Sequence, residues 1–75
     1  MKIRELDNVV LKKDIKKYGL NEGDVGTVVY VHGKGEAFMV EFIEASGHTI
    51  AVLTLEPKDI RPMKKREILH AREFA

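Results

Sequence analysis

Seventy-five residues, 44% of them hydrophobic and 33% charged, make one small domain and exclude a disordered chain. No cysteine is present, so disulfides and cysteine-ligated zinc are excluded and aliphatic burial must build the core. A formal net charge of +1 lacks the strongly basic balance expected of a nucleic-acid or membrane binder.

In chain order, Met1 to Leu6 hold no apolar run of signal-peptide length. No stretch nears the roughly 20 apolar residues of a membrane span. The cytoplasm is therefore the expected compartment. Asn8 to Lys12 read as a first strand, with Val9 and Leu11 on one face and Val10 on the other. Asp14 to Glu22 form a polar loop with apolar anchors at Ile15, Tyr18 and Leu20. Gly19, Gly23 and Gly26 punctuate the entry to a second strand, Asp24 to Val31, and Gly26 is expected to mark a bulge or sharp bend. His32 to Gly35 make a glycine-rich hairpin turn. Ala37 to Glu44 alternate as a third strand, a turn follows at Ala45 to Gly47, and Thr49 to Leu55 form a fourth strand. Pro57 to Asp59 suit a 3₁₀ turn, and Ile60 and Arg61 a stub strand closed by Pro62. Residues 63–75 are rich in good helix formers and predict a C-terminal helical tail. The expected fold is mainly β, a five-stranded SH3-like barrel over residues 1–62 followed by a C-terminal α-helix.

The strand phases carry functional information. If Val9, Leu11, Phe38, Val40, Phe42, Ala51, Leu53 and Leu55 face inward, then Val10, Met39, Ile43, Ile50 and Val52 face outward. A barrel this small needs one apolar face, and a second one calls for a cover. The tail could supply it through Ile68, Leu69, Ala71 and Phe74, or a partner protein or second copy could. A helix of about three turns is marginal alone in water and must dock on something. The expected contact set is Val10, Ile50, Val52, Ile68, Leu69 and Phe74.

The segments Leu6–Leu11, Tyr18–Leu20, Gly23–Val29, Val40–Phe42, Gly47–Ala51 and Leu55 through Pro62 resemble, in order and spacing, the small bacterial family catalogued as domain of unknown function 4926. The resemblance covers roughly residues 1–62 and is silent on the tail. It implies a short SH3-like barrel without catalytic residues. Members of that family tend to be encoded beside other small genes, so the resemblance raises a partner, or a toxin–antitoxin-like pairing, as an expectation. Gly23 to Val29 is also similar to the glycine-containing segment of the KOW motif of ribosomal and transcription proteins. A looser likeness is to the barrel domain of the nitrile hydratase β subunit, on fold analogy alone.

Chemistry-bearing clusters are absent from the sequence. His32, His48 and His70 have no acidic or histidine neighbour at a metal-site spacing, so neither a metal nor a cofactor is expected. Ser46 is the single serine and belongs to no nucleophile motif, and Glu41 and Glu44 lie on opposite strand faces. Gly33 to Gly35 lack the helix and the Gly-Lys-Ser/Thr ending of a phosphate loop. The chain thus reads as a non-enzyme, a protein-binding or assembly module. The alternative is a nucleic-acid-binding module that sets Lys12, Lys13, Lys64, Lys65 and Arg66 on phosphates. Residues through Pro62 carry 9 basic and 10 acidic side chains, against 4 and 2 from Met63 onward. Such short basic clusters also serve as solvated edges that keep strands from pairing with neighbours.

Overall fold

The computed structural model describes residues 2–74. Five strands form in chain order: β1 (Asn8–Leu11), β2 (Val25–His32), β3 (Ala37–Ile43), β4 (Thr49–Leu55) and β5 (Ile60–Pro62), with 3₁₀ turns at Lys16–Tyr18 and Pro57–Asp59. Every neighbouring pair is antiparallel, and the sheet order is β4-β3-β2-β1-β5. The strands fall where alternation and turn chemistry placed them, within a residue or two.

Two expectations are corrected. The sheet is open: β4 and β5 are its two edges, and no pairing joins them among the described residues. The SH3-like barrel closure expected from sequence is therefore not formed. Nor is there a C-terminal α-helix among the described residues. After β5 the chain makes one turn, Glu67 N–H to the Lys64 carbonyl at 3.2 Å, and runs on without regular structure to Phe74. Helix propensity over a dozen residues is too weak to resist tertiary anchors. Here those anchors are ion pairs made by Arg61 and Arg72, described below.

The core lies on one face of the sheet. Val9, Leu11, Leu20, Val28, Phe38, Val40, Phe42, Leu55 and Ile60 form one buried cluster, with Ile3, Ile15, Val31, Ile50 and Leu53 packed against it. Leu55 and Ile60, from opposite edge strands, share that cluster, so the sheet must curl over its own side chains. The 3₁₀ turn between them is held by reciprocal capping. Glu56 N–H donates to Asp59 Oδ2 at 3.0 Å, and Pro57 starts the turn at the position that tolerates a missing N–H.

Two irregularities reset the strand phase. Val28 pairs with Val40 but Tyr30 with Met39, so Val29 is the extra residue of a bulge. This leaves Val29 and Tyr30 exposed and returns Val31 to the core side. A second bulge lies at Ile50, because Phe42 pairs with Ala51 while Ile43 pairs with Thr49. Gly26, expected to mark a bulge or sharp bend, forms no bulge with β1: it sits in regular register opposite Val9. Its requirement is close approach: a Cβ there would lie 2.5 Å from Val40 Cγ1 and 2.8 Å from Phe42 Cε1.

Candidate protein-interaction surface

Strand β4 presents the larger free edge. It has seven residues, none charged, and among the described residues only β3 pairs with it. The outer backbone groups of Ala51 to Leu55 find no backbone partner among the described residues. Ala51, Leu53 and Leu55 stand opposite the core residues Phe42, Val40 and Phe38, so they point inward, while Val52 and Thr54 point outward. Val52 is 46% exposed and Ile43, on the next strand, 55%. Sheet edges of this kind are usually blunted by charge, proline or brevity.

Strand β5 is the other edge and carries all three devices. It spans three residues, ends in Pro62, and its Arg61 donates from Nη1 and Nη2 to the two carboxylate oxygens of Glu67 at 2.8 and 2.6 Å. Glu67 also accepts the Lys64 N–H at 2.7 Å. The Arg61 bonds, then the Lys64 amide, lower the Glu67 pKa from its ordinary 4.5 to about 2. Asp59 stands buried at the strand entrance, and Lys13 Nζ lies 3.2 Å from its Oδ1. Burial raises the Asp59 pKa, but the Glu56 amide and Lys13 outweigh it and hold the carboxyl below its ordinary value.

The tail beyond β5 returns across the molecule. Arg72 donates from Nε and Nη2 to the Asp24 carboxylate at 2.8 and 2.6 Å and from Nη2 to the Gly19 carbonyl at 2.9 Å. The Arg72 hydrogen bonds lower the Asp24 pKa against the opposing effect of burial. Phe74 lies over Gly19, where a Cβ would come within 3.1 Å of its ring. Gly19 has φ +70° and closes the 3₁₀ turn, so glycine meets both demands there. A cleft of about 670 Å³ opens between the tail at Leu69 to Phe74, the loop at Leu20 to Val25 and the β3–β4 turn.

The expected contact residues are scattered by this arrangement. Val10 is buried, 6% exposed, between Val25 and Arg61 on the neighbouring strands. Ile50, turned by its bulge, packs against the core, and Phe74 is half-buried on Gly19. Val52 stands on the open edge. Ile68 and Leu69 are 91% and 67% exposed on the tail, and of the two only Leu69 lines the cleft. The basic residues do not form one patch. Lys12 and Lys13 follow β1 beside Asp59, while Lys64 to Arg66 follow Met63, whose N–H bonds the Asn8 carbonyl at the other end of β1. The two groups lie about 13 Å apart along that strand. Lys13 is engaged by Asp59; Lys12, Lys64, Lys65 and Arg66 are exposed.

Among the described residues no three His, Asp or Glu side chains come together in a way that could hold a metal ion. His32 ends β2 with its ring edge-on to Tyr30, centroids 4.8 Å apart, and its Nε2 is buried without a hydrogen-bond partner. No helix among the described residues is long and apolar enough to cross a membrane.

Sequence reasoning missed the two arginine clasps. Arg72 and Asp24 are 48 positions apart, and no local spacing announces such a pair. It also read β4 as one strand among five. The absence of charge in Thr49–Leu55 was visible, but its meaning depends on the strand lying at an edge.

No curated protein and no solved structure matches this chain. One family model does, over residues 5–62, which takes in all five strands and leaves the strapped tail outside. On that match, the chain belongs to the family described as a domain of unknown function, DUF4926.

Proposed function

We propose that this chain is a non-catalytic protein-binding or assembly module whose working surface is the β4 edge. The observation that carries the reading is the contrast in protection: β4 is long, uncharged and unpaired on its outer side, while β5 is short, proline-ended and ion-paired. An extended segment added to β4 would satisfy its free backbone groups, and the exposed Val52 and Ile43 would supply apolar contacts. The nucleic-acid reading has weaker support, because its basic residues stand at two ends of β1 and one of them is held by Asp59.

The test is purification of the tagged full chain from its native host at low salt, beside the double variant Val52→Lys, Thr54→Lys. A polypeptide held in stoichiometric amount by the wild type and lost from the variant is the expected result. Equal retention by both proteins would refute edge docking, and retention by neither would refute a different protein as the occupant of that edge. A high 260/280 nm absorbance ratio that collapses with salt would favour nucleic acid instead.

A further inference from the structure

The β4 edge is suited to pairing with itself. We propose that two copies of this chain associate through antiparallel β4–β4 pairing about a two-fold axis at Leu53, making one continuous ten-stranded sheet. This inference rests on the β4 edge being the working surface and names a second copy as its occupant.

The bulge at Ile50 leaves Ala51–Leu55 as the straight part of β4, and Leu53 is its middle residue. A two-fold axis there sets Leu53 against the second copy's Leu53, Ala51 against Leu55, and Val52 against Thr54. An isologous contact brings each strand against itself, so charges set symmetrically about the axis would meet their own kind. Among the five residues there is no charge to repel.

The core face gives a second reason. Leu53 pairs with Val40, which is fully buried, and packs on the core, yet remains only half-buried because the sheet ends at β4. A second Leu53 across the axis would cover that open flank with a side chain of matching shape. On the outer face, Val52 and Thr54 would form two β-branched cross-strand pairs, a favourable class of contact. The β5 edge offers no equivalent, since Pro62 lacks an N–H and Arg61 is committed to Glu67.

The test is sedimentation velocity of the purified full chain at 10 to 300 µM or thereabouts, a range suited to the marginal affinity of a small interface. The wild type is expected to move as a dimer of its 8.5 kDa chain at the upper concentrations. Two double variants then fix the register. Val52→Lys with Thr54→Lys sets lysine against lysine across the axis and should leave a monomer. Val52→Lys with Thr54→Glu sets lysine against glutamate twice and should keep the dimer. Both positions are exposed, and matching circular dichroism spectra would show that both variants fold. A monomeric wild type throughout the range would overturn self-pairing, while the host purification above would still decide whether the edge serves a different protein. A dimer that survives Val52→Lys with Thr54→Lys would overturn it as well, by placing the contact elsewhere. Loss of the dimer in both variants would refute the Leu53 axis.

Discussion

The two edges of this sheet face the same hazard and meet it differently. β5 buries its first residue, Ile60, in the core and turns its remaining length into a clasp of Arg61, Glu67 and Pro62. β4 buries Leu55 but leaves the stretch before it uncharged, unpaired and half-exposed. The tail, expected from sequence to cover the outward strand faces, runs instead to Asp24 and Gly19. An unblunted edge invites pairing. The asymmetry therefore marks β5 as the edge that serves stability and β4 as the edge free to serve binding.

Substitutions at the two edges should separate these roles. The largest effect is expected from Ile60→Ala, which removes a fully buried side chain from β5 and should cost about 2–5 kcal/mol in urea unfolding. A loss below about 1 kcal/mol would mean that β5 does not anchor the core. Next comes Gly26→Ala, behind both edges, where the new methyl group meets Val40 and Phe42. Overpacking should lower stability by about 1–3 kcal/mol, and an unchanged melting temperature would disprove the close-approach account. Asp59→Ala removes the cap of the 3₁₀ turn and the partner of Lys13 at the entrance to β5. A cost of about 1–2 kcal/mol is expected by the same unfolding measurement.

The clasp at β5 also predicts a pH dependence. The Glu67 pKa is lowered on folding, so its stabilising contribution is fully present above the ordinary value of 4.5 and is lost as pH falls toward about 2. Titration of the Glu67 carboxyl followed by nuclear magnetic resonance should show this midpoint, and Arg61→Gln should return it toward 4.5. A midpoint already near 4.5 in the wild type would mean that the clasp is open in solution. The smallest stability effect is expected at the other edge. Val52→Lys should change unfolding free energy by no more than about 0.5 kcal/mol, because the side chain is half-exposed and outside the core. A loss of 2 kcal/mol or more would show that Val52 is structural and would dissolve the contrast between the edges.

Much of the sheet was legible from residues alone, and the site was not. Val9, Leu11, Phe38, Val40, Phe42 and Leu55 were placed inward by period-two alternation, and all six are in the buried cluster. Alternation failed where a bulge added a residue. Ile50 was read as outward, and its bulge packs it on the core. Val10 does lie on the face opposite that of Val9, but the strands beside it leave it buried rather than exposed. The tail shows the same limit most clearly. Its composition favours a helix, and two arginine pairs, the nearby Arg61–Glu67 and the long-range Arg72–Asp24, draw it out into a strap.

The strands, their turns and the family could be read from the residues alone, because alternation, turn residues and motif spacing are local properties of the chain. Which strands became edges, where the tail went, and that Thr49–Leu55 has no partner on one side among the described residues emerged from the folded chain as a whole. Those outcomes depend on contacts between residues far apart in sequence, and no local pattern encodes which distant carboxylate an arginine will reach or which strand a sheet will leave exposed.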